Sequence, residues 1–341
     1  MAKFIKQLVL GIDLGTSNTL VYAKKQGVIW EESSVIAFNK KNQSIVAIGK
    51  EAKKMIGRVP GTLTVVRPIQ LGVLTDFEAA QAFLGKIFDD FSKKYVFLIR
   101  PVGIIGIPLN LTEVQKRGVI DAAKVSAFRE AYLIEEPIAA ALGGNLDIEE
   151  ARGLMLVDIG GGTTEIAVLS LGGIVVGKSI KIAGDRFNQE IVNYVRLKNN
   201  LIIGDGQAEE AKIKIGSITN RDDAFVLRGR DAISTLPKEV NFTGLDLRDC
   251  LLSNLLEIID DIRDVINITP PDLLGDIITR GIYLTGGGSL LKGLPEFFEK
   301  ELKVKINLME DPFYSVVRGL GRVTEDFNYY NKFIIRDERL Q

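Results

Sequence analysis

Two stretches of this chain repeat one pattern about half a chain apart. Ile12-Asp13-Leu14-Gly15-Thr16-Ser17-Asn18-Thr19-Leu20-Val21 resembles Val157-Asp158-Ile159-Gly160-Gly161-Gly162-Thr163-Thr164-Glu165-Ile166. Each reads as an apolar strand, an aspartate, a turn rich in glycine and hydroxyls, and a returning strand. Two copies imply a duplicated domain whose like loops face one ligand. The length of 341 residues accommodates two domains of ordinary size. Further strands are predicted at 102–107, stopped by Pro108, and at 282–285. Helices are predicted at 75–92, from Thr112 onward, at 185–199, at 206–216 and at about 247–266, and 223–242 reads as a hairpin. Thr112 and Gln115 have the spacing of a capping box. Strand runs mixed with crossover helices predict an α/β architecture with partly mixed sheets. A boundary is expected at Gly143-Gly144-Asn145.

Composition narrows the chemistry. The chain has no histidine, which excludes Ser-His-Asp and Cys-His mechanisms and His-ligated zinc. The single Cys250 precedes Leu251 and Leu252 and is expected to be a small buried residue in a reducing compartment. A net charge of −1 does not imply a strongly basic nucleic-acid-binding surface, though it leaves room for a local patch, and no nucleic-acid partner is expected. No targeting segment and no run of membrane-spanning length is read.

Glycine-rich turns let backbone N–H groups approach an anion, and a nest of them binds phosphate. Thr16, Ser17, Thr163 and Thr164 add hydroxyl donors. Asp13 and Asp158 beside the turns would repel a polyphosphate unless a divalent cation lay between, which fits Mg²⁺ held through water. A third turn, Leu284-Thr285-Gly286-Gly287-Gly288-Ser289-Leu290-Leu291, follows a strand, opens a helix, and lets a flat base or ribose lie on the backbone. Neither the P-loop motif nor a Rossmann fingerprint after the first strand is present. Glu135-Glu136, read alone, is a charge pair at a helix start.

These turns resemble the actin, sugar kinase and heat-shock chaperone ATPase superfamily, and within it the MreB family of bacterial actin homologues. The matches also include Ile134-Glu135-Glu136-Pro137-Ile138-Ala139-Ala140-Ala141, Ile182-Ala183-Gly184-Asp185 and Arg280 to Leu291, in the family's order over nearly the whole chain. The resemblance implies an actin-like ATPase fold. It would have two lobes, each with a duplicated ribonuclease-H-like mixed sheet flanked by helices, and ATP or ADP with Mg²⁺ in the cleft. The first lobe would span 1–145, with an outer subdomain at about 33–75. The second would span 146–325, with an outer subdomain at about 185–245 and an adenosine loop at 284–291. A tail, 326–341, looks specific to this member.

Carried over by position, Gly15, Thr16, Ser17 and Asn18 form one phosphate loop, and Gly160, Gly161, Gly162, Thr163 and Thr164 the other. Gly184 and Asp185 join the nucleotide site. Glu209, Glu210 and Lys212 would lie near ribose and base, and Gly286, Gly287, Gly288, Ser289 and Leu290 would cover the adenosine. Asp13 and Asp158 would hold the metal's water shell. Glu136 would position the attacking water, with Thr163 as helper.

The resemblance further implies a slow Mg-dependent ATPase coupled to self-association into protofilaments, a cytoskeletal role in cell shape, and a cytoplasmic location at the inner membrane face. Lys93 to Arg100 sets an apolar stretch between basic residues, and Phe97 and Leu98 would insert into the membrane; the same stretch also reads as a buried strand leading into Pro101. Gln70-Leu71 and the bulky Leu320 depart from the family pattern, which bears on filament contacts and on morphogenetic or motility partners. A small-molecule kinase of the same superfamily, and a structural or motility filament with weak hydrolysis, are the competing readings. A chaperone-type ATPase would need a further peptide-binding domain.

Overall fold

A computed structural model of the chain describes residues 8–92, 100–219 and 224–335. They fall into two compact units. The first holds the strands β1 (Val9–Leu14), β2 (Asn18–Ala23), β3 (Gly27–Ser33), β4 (Ile36–Asn39), β5 (Ile45–Ile48), β6 (Leu63–Val66), β7 (Ile69–Gln70), β8 (Val73–Leu74), β9 (Val102–Ile107) and β10 (Glu130–Glu135). Its helices are α1 (Lys50–Lys54), α2 (Phe77–Ser92), α3 (Glu113–Ser126) and α4 (Glu136–Gly143). The main sheet runs β10-β9-β1-β2-β3. The β1–β2 and β2–β3 pairs are antiparallel, and β1–β9 and β9–β10 are parallel. Side chains alternate across a strand. Leu10, Ile12 and Leu14 therefore share a core with Phe83, Leu84 and Ile87 of α2 and with Val119 and Ala123 of α3. The expected capping box forms: the Gln115 N–H donates to Thr112 Oγ1 at 3.3 Å and the Thr112 N–H to Gln115 Oε1 at 2.9 Å.

The second unit holds β11 (Leu154–Ile159), β12 (Thr164–Ser170), β13 (Gly173–Ile180), β14 (Leu201–Ile202), β15 (Ala224–Asp231), β16 (Pro237–Thr243), β17 (Ile282–Thr285) and β18 (Ile306–Leu308). Its helices are α5 (Gly184–Asn199), α6 (Asp205–Ile215), α7 (Gly244–Ile268), α8 (Pro271–Arg280) and α9 (Leu294–Leu302). Its main sheet runs β13-β12-β11-β17-β18, with β11–β17 and β17–β18 parallel. Three consecutive strands are thus followed by two parallel returns, the same wiring as β3-β2-β1-β9-β10. The duplication seen in the two aspartate turns is a duplication of whole sheets.

Two elements begin differently from expectation. Helix α7 starts at Gly244, three residues before the predicted Leu247, because Thr243 and Asp246 close a capping box around its first turn. The glycine run after β17 opens a 3₁₀ turn, Gly287–Leu290, and the α-helix waits until Leu294. Cys250 is buried on α7, where burial lifts its thiol well above the usual range, so it is an inert core residue.

After the second unit the chain returns to the first, which takes residues 8–151, 169–174 and 313–335. The expectation of a second lobe running to 325 differs here, and the reason is helix α10 (Ser315–Glu325). Its buried residues Val316, Val317, Leu320 and Val323 lie within the first unit, on the sheet face opposite α2. Contact is at backbone distance. A Cβ on Gly319 would lie 1.7 Å from the Ala139 carbonyl oxygen of α4, and one on Gly143 would lie 1.9 Å from that of Ser315. Gly11 of β1 leaves room for Leu320, whose Cβ a Gly11 Cβ would meet at 2.9 Å. The bulky Leu320 is thus accommodated by a glycine opposite it.

Gly319→Ala forces one helix backbone off the other and is expected to lower unfolding stability by at least about 3 kcal/mol in a denaturant titration. Gly118→Ala is the contrast. Gly118 lies inside α3 with nothing within 4 Å of its would-be Cβ. It should gain roughly 0.5–1 kcal/mol from helix propensity alone.

Candidate functional site

The first glycine turn joins β1 to β2. Asp13 pairs with Leu20 and Leu14 with Thr19, leaving Gly15, Thr16 and Ser17 to close the turn before Asn18. A Cβ on Gly15 would sit 2.7 Å from the Asn18 carbonyl oxygen, so only glycine permits a turn this tight. The turn is clamped from behind. Ser34 Oγ donates to the Gly15 carbonyl at 2.6 Å, and the Ser34 N–H donates to the Ser17 carbonyl at 3.0 Å. Ser34 has spent its proton, so at 2.8 Å the Thr19 hydroxyl is the donor to it. Both residues are fully buried. On the other side, the Gly72 N–H donates to Thr16 Oγ1 at 3.1 Å. Sequence reasoning missed Ser34, Thr19 and Gly72. The one available signal was the polar Ser33-Ser34 pair set against the apolar Val35-Ile36.

Asp13 stands at the end of this buried strand. Burial alone pushes its carboxyl from 3.8 up to about 7. Among the described residues no opposite charge offsets that burial, so the carboxyl suits a cation or a proton.

The second turn joins β11 to β12. The Gly160 N–H donates to the Thr163 carbonyl at 2.9 Å and closes it. The clamp here is helix α5: the Gly184 N–H donates to the Gly160 carbonyl at 3.1 Å, and the Asp185 N–H to the Gly161 carbonyl at 2.7 Å. Thr164 is buried, its hydroxyl donating to the Ile182 carbonyl at 2.6 Å. Lys212 Nζ reaches from α6 to the Gly184 carbonyl at 2.7 Å. The third turn closes on the same place. A Cβ on Gly286, whose φ is 83°, would lie 2.2 Å from Asp158 Oδ1 and 2.4 Å from the Ile159 carbonyl oxygen. One on Gly288 would lie 2.3 Å from Ile159 Cγ2. Ser289 Oγ caps the turn by donating to the Gly286 carbonyl at 2.6 Å.

The second unit therefore gathers Asp158, the turn at Gly160, Gly161, Gly162 and Thr163, then Gly184, Asp185, Lys212 and Gly286. Glu210 points elsewhere, pairing with Lys214 at 2.7 Å on an exposed face, and Leu290 is 55% exposed. In the first unit, Glu136 is the first residue of α4, followed by Pro137 at a position proline favours. It is half-buried, and a Cβ on Gly106 would meet its Cγ at 3.6 Å. Burial raises the neighbouring Glu135, opposed by the Lys116 charge. Among the described residues no group of three or more His, Cys, Asp or Glu side chains could hold a metal directly. Phe97 and Leu98 lie outside the described residues.

Paired five-stranded sheets of one wiring, each with an aspartate–glycine turn, define an actin-like fold of the ATPase type. A neighbour at TM-score 0.79, titled MamK double helical filament, shares that fold at 22% identity over 94% of this chain and 99% of its own. The model of the MreB/Mbl protein family matches residues 7–332, and the chain belongs to that family. The cell shape-determining protein Mbl of Bacillus subtilis is 39% identical over 321 residues, 94% of this chain and 96% of its own. The cell shape-determining protein MreB of Escherichia coli is 37% identical over 335 residues, 96% of each chain. The crystal structure of MreB5 of Spiroplasma citri bound to ADP matches at TM-score 0.90 and 34% identity, covering 96% of this chain and 98% of that one.

The half-buried Asp13, its carboxyl held up by desolvation, links stability to pH. Its folded-state pKa lies above the unfolded one, so the stability it contributes is full below about 3.8 and is lost as pH rises to about 7. At 1.36 kcal/mol per pKa unit the upper limit is about 4 kcal/mol. Without nucleotide or divalent cation, Asp13→Asn should gain on the parent as pH rises. The difference in unfolding free energy should be about 2 kcal/mol larger at pH 7.5 than at pH 5. A difference that stays flat with pH would remove the burial argument.

Proposed function

We propose that both phosphate loops of this chain serve one Mg·ATP, and that the chain polymerises into paired protofilaments at the inner face of the cell membrane and organises cell shape. Slow hydrolysis would set filament turnover rather than make a product. The observation that carries this reading is the pair of strand–aspartate–glycine turns on identically wired sheets in a member of the MreB/Mbl family. The Bacillus subtilis and Escherichia coli relatives are named cell shape-determining proteins, and MreB5 of Spiroplasma citri has been crystallised with ADP and with AMPPNP.

The donor set fits a magnesium nucleotide. Gly15 and Gly286 occupy places where a Cβ would collide with the turn itself, so the backbone is bare where phosphate or ribose would approach. The carboxyl of Asp13 is destabilised as an anion until a cation arrives. Asp13 and Asp158 would hold Mg²⁺ through its water shell. Bound there, Mg²⁺ supplies charge neutralisation at the phosphates. Thr16, Ser17 and Asn18 on one turn, and Gly161, Gly162 and Thr163 on the other, would bind phosphate oxygens. Glu136 would orient a water for in-line attack, with Thr163 as its helper. Lys212 and Glu209 would border the ribose and base. Attachment to the membrane is assigned to Phe97 and Leu98; among the described residues no helix is long and apolar enough to cross a membrane.

Sedimentation with Mg·ATP, Mg·ADP or no nucleotide, with phosphate release followed in the same tubes, tests this. Pelleting should depend on nucleotide. Glu136→Ala should lower phosphate release at least 10-fold while leaving ATP binding within about 3-fold. A protein that binds ATP yet stays in the supernatant at every concentration, with or without anionic vesicles, would overturn the filament reading.

A further inference from the structure

Trp30, the only tryptophan of the chain, is partly buried: it packs on the core of the first unit and also lines an open groove of about 440 Å³. The other lining residues are Val28, Ile29 and Glu31 of β3 and, from the start of α10, Tyr314 and Arg318. All belong to the first unit. The rings are held in place. Trp30 meets Phe83 of α2 edge to face, with centroids 5.5 Å apart. The Tyr314 hydroxyl donates to Glu31 Oε2 at 3.1 Å, and Arg318 Cζ lies 5.8 Å from the Tyr314 ring centre. Tryptophan, tyrosine and arginine carry most of the binding energy where proteins meet. Side chains fixed beforehand lose little entropy on binding.

The strand itself limits what can dock. β3 is the last strand of its sheet. Val21 pairs with Trp30 and Tyr22 with Val28, which leaves Ile29 as an extra residue on β3. A bulge of this kind interrupts the ladder and guards an edge against strand pairing. The groove is therefore built to receive side chains rather than another strand.

Charge selects the partner. Arg318, Arg322 and Glu325 are the only residues of α10 that are not buried, and their spacing of four and three puts them on one stripe. Glu325 is already engaged: its carboxylate accepts from the Lys25 N–H at 2.6 Å and from the Tyr22 hydroxyl, and its carbonyl accepts from Lys24 Nζ. Glu31 is likewise shared between Tyr314 and Lys50, whose Nζ lies 3.7 Å away. The side chains of Lys25 and Arg322 have no partner among the described residues. The groove thus has an apolar and aromatic floor with a basic rim. The same groove on a second copy carries the same sign and is repelled, whereas carboxylates are attracted.

We infer that this groove docks an acidic segment of another protein, with an apolar side chain against Val28 and Trp30 and carboxylates on Arg318 and Arg322. Nothing in the two phosphate loops takes part, so the inference goes beyond the nucleotide and filament reading above.

Trp30 is its own reporter. Short peptides built from glutamate, leucine and phenylalanine are titrated into the full chain while tryptophan emission is followed, with lysine in place of glutamate as the control set. The acidic set should bind at least about 10-fold more tightly than the basic set, and should weaken as salt is raised. Arg322→Glu should lower acidic-peptide affinity at least about 10-fold while leaving ATP binding and nucleotide-dependent pelleting as in the parent. Lys25→Glu, on an exposed turn, repeats the test should the first variant fail to fold. No preference for the acidic set, or a preference that survives both charge reversals, would overturn the inference. Loss of pelleting in the folded variants would do so as well, by giving the groove to a second copy. An equal Trp30 response to phosphatidylglycerol vesicles would give it to a lipid surface instead, with the same consequence.

Discussion

A carboxyl group at the end of a strand that is buried on both faces is the constraint around which the first unit is organised. Asp13 cannot be moved outward, because β1 lies between β2 and β9. Among the described residues no charged neighbour offsets the burial that raises its pKa. What the fold supplies is a turn of minimal bulk directly after it, at Gly15, Thr16 and Ser17. Desolvation disfavours the anionic form of such a carboxyl, and the cation proposed above would offset that cost. Such an arrangement couples ligand occupancy to the free energy of the unit.

The second unit repeats the wiring but holds its turn differently. Loop one is clamped by side-chain hydroxyls, with Ser34 grasping the Gly15 carbonyl and Thr19 donating to Ser34. Loop two is clamped by the backbone of α5 at Gly184 and Asp185, and Lys212 extends that chain of bonds to α6. A lysine side chain is long and rotatable, whereas a buried Ser–Thr pair is not. Loop two is therefore joined to the elements proposed to meet ribose and base, and loop one to the β3–β4 connection and, through Thr16, to the β7–β8 hairpin. Duplication preserved the backbone geometry and left the clamps free to diverge.

This division explains what could be read from the sequence. Strands such as Val102–Ile107 and Ile282–Thr285 were legible to the residue, since apolar runs ended by Pro or Gly leave little choice. The aspartate turns were legible because aspartate, glycine and hydroxyl stand consecutively. The clamps were not. Ser34 acts 19 residues away on Gly15, and Gly72 acts 56 residues away on Thr16, and no local pattern encodes either pairing. The return of α10 to the first unit was equally hidden. Its apolar stripe shows that it packs somewhere, but the choice of partner lies in Gly11, Gly143 and Gly319, whose missing side chains signal nothing in isolation.

The glycine contacts also decide where rigidity lies. Helix α4 carries Glu136 at its first position, and α10 presses on that helix at backbone distance through Gly143 and Gly319. Gly106, beneath Glu136, faces Val316 and Leu320 of α10 as well, with would-be Cβ contacts of 3.3 and 3.4 Å. Interfaces with no spare volume cannot slide by fractions of an ångström without losing contact. The carboxylate proposed to orient water is thus mounted on a helix packed at backbone distance against α10. A carboxylate on a loop would have to be ordered for each turnover; this one is ordered by folding. The last described helix to pack on the main sheet thereby completes the support of a residue nearly two hundred positions earlier.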